Sequence, residues 1–228
     1  MIPFRSLSQA AVVVPVLAAC VQAGPIVIRV DPVWGSTENT GATAEITLTF
    51  SEIGAENLLA VTMTNTTPAA IGATLTAVGF EMPPWLNLVP AFAPGGTSPY
   101  FDRLTFNAAV SPGYLNAPGG YDVMITSDGS FEGGKPTGGP TAGQSQTVIL
   151  TLGETGLTAG GLATAFADFY ESLGTHYAIA RFQAVGPQGN LSDKVGGHAP
   201  EPATILAFAI GAIVCFGTKR SRAAAAGR

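Results

Sequence analysis

Cysteine is almost missing from this 228-residue chain, which has only Cys20 and Cys215, one near each end. The long stretch between them therefore has no disulfide framework, no thiolate nucleophile and no cysteine metal site. Histidine is equally scarce, at His176 and His198. A Ser-His-Asp triad would have to use His176, because His198 lies in a Gly-rich stretch, and no Gly-x-Ser-x-Gly elbow offers a nucleophile. Charge is sparse, at 11% of residues, and one-sided. Between Gly24 and His198 the bases are Arg29, Arg103, Lys135, Arg181 and Lys194, against fourteen acids. A body with about nine net negative charges at neutral pH disfavours nucleic acid and anionic lipid as partners, and suits neutral polymers, cations or bulk solubility.

The two ends are composed differently from the middle. Arg5 is the only charge before Arg29, and residues 10–21 are apolar apart from Pro15 as a helix disruptor. This is the pattern of a secretory signal peptide. Val21 and Ala23 fit the small residues ahead of a signal peptidase site, with Gly24 as the mature N-terminus. A second reading stays open, since Leu17-Ala18-Ala19-Cys20 is similar to a bacterial lipobox with Cys20 as a lipidated first residue.

At the other end, Pro200, Glu201 and Pro202 precede an uncharged apolar run over residues 203–217, followed by Lys219, Arg220 and Arg222. As a helix, fifteen residues rising about 1.5 Å each would cover roughly 23 Å of a hydrocarbon layer about 30 Å thick. Thr218 and snorkelling stems of Lys219 and Arg220 lengthen the run slightly, which suits a temporary membrane stop better than a permanent anchor. The basic end stays cytoplasmic and places everything before Ala203 outside. The two prolines discourage helix and leave Glu201 in an extended, accessible segment.

This order of motif, apolar run and basic cluster resembles the PEP-CTERM sorting signal of Gram-negative bacteria. That resemblance implies an exosortase-like transpeptidase as a partner, transient membrane residence through residues 203–218, and a destination at the cell surface or in an exopolysaccharide matrix. It divides the chain into a signal peptide (1–23), a β-rich ectodomain (24–190), a linker (191–199), a sorting signal (200–222) and a basic, Ala-rich tail (223–228). The body also resembles the β-rich ectodomains of such proteins over residues 58–80, 176–189 and 192–194, without catalytic motifs.

Within the body, period-two alternation dominates. Ile46, Leu48 and Phe50 alternate with Glu45, Thr47 and Thr49, and Leu59, Val61 and Met63 repeat the pattern. Further strands are expected at residues 75–80, 104–110, 121–125, 147–152 and 176–184, separated by Pro- and Gly-rich loops. Leu162, Phe166, Phe169, Tyr170 and Leu173 recur at helical spacing, with Thr158 or Gly160-Gly161 to open a helix and Gly174 to cap it. Many short strands and one short helix predict an antiparallel β-sandwich.

Candidate chemistry is thin. The acids Asp122, Asp128 and Glu132, and the helical pair Asp168 and Glu171, are the pairs to weigh for glycoside hydrolysis. Helical spacing puts the last two on a solvated face. Residues 127–132 are oxygen-rich but lack the alternating ligands of an EF-hand, and Asp128-Gly129 reads as a turn. Trp34, Trp85, Tyr100 and Tyr114 lie in or beside turn-rich segments, and Trp85, after two prolines, is the best candidate for a sugar-stacking platform. Asn65-Thr66-Thr67 and Asn190-Leu191-Ser192 match the glycosylation triplet. The expected protein is non-enzymatic, needs no cofactor, and is structural in a biofilm or exopolysaccharide matrix. The alternatives are a carbohydrate-binding module and, behind it, a hydrolase using an acidic pair.

Overall fold

The structure, a computed structural model, describes residues 21–22, 24–117, 119–127, 130–132, 139–173 and 178–198. Eleven strands are formed: β1 (Val21–Gln22), β2 (Ile26–Val30), β3 (Ala44–Ile53), β4 (Glu56–Asn65), β5 (Thr74–Phe80), β6 (Ala91–Phe92), β7 (Arg103–Ala108), β8 (Tyr121–Thr126), β9 (Ser145–Gly153), β10 (Ala178–Val185) and β11 (Leu191–His198). The one α-helix among the described residues, α1 (Ala159–Leu173), lies between β9 and β10. Ten strands follow one hydrogen-bonded path, β6-β9-β4-β3-β2-β11-β10-β5-β8-β7, and β1 adds to β3. Every pairing is antiparallel, and the sheet curls until it is nearly closed, like a barrel. The β-rich, antiparallel, single-helix architecture agrees with the sequence, but the strands join one continuous sheet rather than two separate ones.

The alternating residues do what their period requires. Ile46, Leu48 and Phe50 of β3, Leu59, Val61 and Met63 of β4, and Val148, Leu150 and Leu152 of β9 all face one shared core. Their outward neighbours form cross-strand polar pairs, such as Thr62 with Thr147 at 2.8 Å and Thr64 with Ser145 at 2.9 Å. β5 is buried along its whole length because its outer face is covered too. There Ala77, Met124, Ile179 and Tyr121 meet Val110, Leu115, Ala117 and Phe131 from overlying loops in a second, smaller core. Gly79 makes room for it: a Cβ there would stand 3.1–3.3 Å from Ile179, Met124 and Tyr121.

Two elements depart from expectation. Residues 191–199, expected as a linker, include β11, an internal strand between β2 and β10. Gly196 and Gly197 suggested flexibility, yet Gly197 is needed for fit, since a Cβ would lie 3.0 Å from Val30 Cγ2 and 3.2 Å from Ala178 Cβ. β2 also forms a regular strand, although its run of five residues shows no polar-apolar alternation.

The register gathers one end of the sheet. Val30, Gly197, Ala178, Phe80, Val123 and Phe106 stand opposite one another in a single row across β2, β11, β10, β5, β8 and β7. One step further along their chains lie Arg29 paired with His198, then Glu81, Asp122 and Asn107. α1 packs over this end. Its Phe166 ring meets Phe50 at 4.8 Å, and the Tyr170 hydroxyl donates to the Glu81 carbonyl at 2.8 Å. The helix starts where Thr158 Oγ1 accepts from Gly161 N–H at 3.1 Å and Glu52 of β3 accepts from Ala159 N–H at 3.0 Å. Among the described residues, no helix is long and apolar enough to cross a membrane; the apolar run 203–217 lies outside them.

Candidate functional site

Among the described residues, the segment after β5 builds a recess. Two prolines end the strand's ladder, and Pro84–Leu86 form a 3-10 turn closed by Asn87 in the left-handed region (φ 47°), where asparagine is tolerated. The turn lifts Trp85 to the surface. Trp85 is 58% exposed and meets Phe169 in a T-shaped contact, with ring centres 5.4 Å apart and planes at 84°. Residues on either side of Trp85 in the sequence, though not Trp85 itself, line a cleft of about 360 Å³, within the range of small-molecule sites. Pro83, Pro84, Val89 and Phe106 give it apolar walls, and Asn107 and Asp122 bring polar groups to it.

Behind that wall is an acid pair. Glu81, 8% exposed, hydrogen-bonds to Asp122, while Asp122 Oδ2 accepts from Met82 N–H at 2.7 Å. Burial, then the neighbouring Asp122 charge and the hydrogen bond to it, push the Glu81 carboxyl up to about 8, so it holds its proton at neutral pH. Its Oε1 is buried with no partner. The two carboxyls are in hydrogen-bond contact, tighter than the roughly 5–5.5 Å of a retaining glycosidase pair or the wider inverting gap. The cleft can therefore hold a ligand against apolar walls that include the Phe106 ring and beside a few polar groups, but this pair has no room for a sugar carbon or an attacking water between its members. Asp122 was one of the acids singled out from the sequence. Glu81 was not, and its only sequence signal is a lone acid set between Phe80 and Met82.

The other acids serve the fold. Glu132 pairs with Lys194 at 2.7 Å and Arg181 at 3.1 Å, and these contacts hold its carboxyl below the usual range against the opposing effect of burial. Lys194 Nζ also donates to the Ser111 carbonyl. Asp168 and Glu171 are exposed on α1, as their spacing required. Asp193, assigned to a linker by sequence, is 1% exposed in β11. Its carboxylate accepts from the hydroxyls of Ser36, Thr37 and Thr40 and from the N–H groups of Thr37, Glu38 and Thr40, at 2.7–3.1 Å. Those donors depress its pKa despite burial, and they fasten the loop after β2 onto β11. Asn65, first residue of one glycosylation triplet, is fully buried and donates to the carbonyls of Ala73 and Pro140, so it is closed to modification.

The remaining aromatics separate by place. Trp34 stacks on His198 with ring centres 4.5 Å apart and planes 19° from parallel. Tyr114 donates its hydroxyl to the Ser36 carbonyl at 2.9 Å. Tyr100 is partly exposed, in the loop before β7. Gly24 is exposed at the start of the body, and β1, just ahead of the expected cleavage point, pairs with β3. Cys20, Ala23, Asp128, Gly174, His176, Pro200, Glu201, Pro202, Lys219, Arg220 and Arg222 lie outside the described residues. No protein-family model matches the chain, and no curated protein or solved structure matches it either.

Proposed function

We propose that this chain is an exported, non-enzymatic protein that is held briefly at the inner membrane and passed by an exosortase-like transpeptidase to the cell surface or exopolysaccharide matrix. The observation that carries the reading is the tripartite tail, Pro200-Glu201-Pro202, residues 203–217 and Lys219, Arg220 and Arg222. On this reading residues 1–23 are a signal peptide removed after Ala23, residues 203–218 cross the membrane once, and the antiparallel β ectodomain is displayed outside. Its role there is structural, in biofilm or matrix. Support comes from the body as well: Glu132 and Asp193 are committed to holding loops, and Asp168 and Glu171 are exposed on α1. The test is the mature C-terminus. Mass spectrometry should find the protein ending near Pro202 in cells with an active exosortase, and retention of residues 203–228 would reduce the tail to an anchor. Deletion of residues 200–202 should abolish sorting.

A second reading is carbohydrate binding, favoured by the cleft beside Trp85. Trp85, exposed in the turn whose Pro84 lines the cleft, offers a stacking face, and the cleft itself brings apolar walls with Asp122 and Asn107, a combination that suits the apolar, polar-edged face of a neutral glycan. A glycan array with residues 24–198 should show binding that Trp85→Ala removes; no binding to any polymer would dismiss this reading and leave the sorting proposal intact.

A further inference from the structure

The last described strand, β11, carries an unusual surface near His198, which stands opposite Arg29 of β2. The turn over residues 31–35 rides on the same strand, with Asp31 N–H donating to the Gly196 carbonyl and Gly196 N–H to that of Gly35. It pushes two apolar side chains outward, Val33 at 72% exposure and Trp34 at 38%. Tyr114, 59% exposed, reaches the same loop through Ser36. Asp31, the acid in the turn, is occupied as its cap, accepting from Val33 N–H at 2.9 Å. Arg29 is exposed, with His198 opposite it on one side and Glu45 opposite it on the other. An indole, a phenol, an aliphatic side chain and a guanidinium thus share one patch, on a body whose charge is otherwise strongly negative.

The length of chain beyond His198 says what lies nearby. Five residue steps separate His198 from Ala203, where the apolar run begins, and fully extended they span at most about 17 Å. The headgroup layer occupies roughly 5–8 Å of that distance. Whatever path the segment takes, the patch cannot stand far from lipid while the run is in the bilayer. Tryptophan and tyrosine favour the boundary between headgroups and hydrocarbon, because the ring is apolar and its polar atom stays wet. A guanidinium beside them can pair with lipid phosphate. The net negative charge of the body opposes adsorption of a free domain, but tethering makes the contact intramolecular and raises its effective concentration.

We propose that Val33, Trp34, Tyr114 and Arg29 form a docking face for the phospholipid headgroup layer, which seats the ectodomain on the outer surface of the inner membrane while the tail is uncut. This rests on the reading of residues 203–218 as a membrane segment. The consequence is a fixed presentation of the short stretch after His198 at the membrane surface, where a membrane transpeptidase works.

The chain's two tryptophans make the test site-specific. The chain without its signal peptide, residues 24–228 with Trp85→Phe so that Trp34 is its sole tryptophan, is reconstituted into phosphatidylethanolamine/phosphatidylglycerol vesicles with and without lipids brominated near the headgroup end of the acyl chain. Trp34 emission should shift to the blue and lose most of its intensity to the brominated lipid. Arg29→Glu combined with Val33→Asp should remove that quenching while the circular dichroism spectrum and co-flotation with vesicles are retained. Co-flotation with unquenched Trp34 overturns the docking face and leaves the membrane segment standing. Quenching confined to Trp85, read in the Trp34→Phe protein, overturns it too, by placing the turn over residues 84–86 against lipid instead. A chain that does not co-float at all removes the membrane reading and this inference with it.

Discussion

Replacing Glu81 with glutamine should stabilise this protein, and do so more as the pH rises. Glu81 is nearly sealed from solvent at the end of β5, its neighbour is another carboxyl group, and Oε1 finds no partner. Its pKa is lifted from an ordinary 4.5 to about 8. Between those values the folded state keeps a proton that the unfolded chain has released. Protons bound in excess by the folded state make stability fall as pH rises, so the loss begins near pH 4.5, continues to about 8 and then levels off. At about 1.4 kcal/mol per pKa unit, the full rise corresponds to a ceiling of roughly 5 kcal/mol. The open cleft on the far side of Asp122 lets water relax part of this, so about 2–4 kcal/mol is the expected span. Glu81→Gln keeps the shape, donates an N–H to Asp122 and has no proton to lose. Urea unfolding at several pH values from about 5 to 9 should therefore give a steadily falling wild-type curve and a flatter one for Glu81→Gln, the two separating by about 2–4 kcal/mol at the alkaline end. Parallel curves would refute the argument, because they would mean that Glu81 ionises in the folded state as easily as in the unfolded chain.

Other changes test the frame around the site. Asp193→Asn should cost about 3–5 kcal/mol at neutral pH, because the donors that surround the carboxylate lose their charged acceptor. Since the pKa of Asp193 is depressed, its contribution is present above the ordinary carboxylate value and disappears as pH falls through the folded one, so the variant should also lose part of the wild-type acid unfolding limb. Gly197→Ala should lower stability by about 1–3 kcal/mol through the contacts with Val30 and Ala178, seen as a lower urea midpoint with an unchanged slope. Phe166→Ala, which empties the contact between α1 and β3, should cost about 3–5 kcal/mol, whereas Asp168→Asn on the opposite face should stay within about 0.5 kcal/mol.

How far the sequence could be read depended on whether a residue's meaning is local. The alternation of Ile46, Leu48 and Phe50 needs no knowledge of the partner strand, because period two alone assigns a buried face, and β3, β4 and β9 follow it. Helix α1 was legible for the same reason, its apolar residues recurring at 3.6-residue spacing behind a threonine cap. β11 was not. Leu191 to His198 contains Asp193, Lys194 and two glycines, which in isolation describe a solvated connection. Each is explained only by something distant in sequence: Asp193 by the loop after β2, Lys194 by Glu132, Gly197 by Val30 and Ala178.

The candidate site fails to show itself in sequence for a related reason, and the register makes that reason specific. Arg29, His198, Glu81, Asp122 and Asn107 lie in or directly after five strands scattered from one end of the body to the other, and each is a polar residue at or near the margin of its strand. Only the row formed by Val30, Gly197, Ala178, Phe80, Val123 and Phe106 brings them side by side, one step beyond the core. A polar residue at a strand margin is ordinarily a place where pairing ends, and nothing in its neighbours says otherwise. Because antiparallel register is set by hairpins and by the inward face of every strand, a slip of one residue in β5 against β8 would turn Phe80 outward and separate Glu81 from Asp122. The acid pair is thus a sensitive reporter of that register. A β5 variant that slipped would lose the high-pH destabilisation of the wild type along with its core packing, whereas Glu81→Gln removes the first and keeps the second.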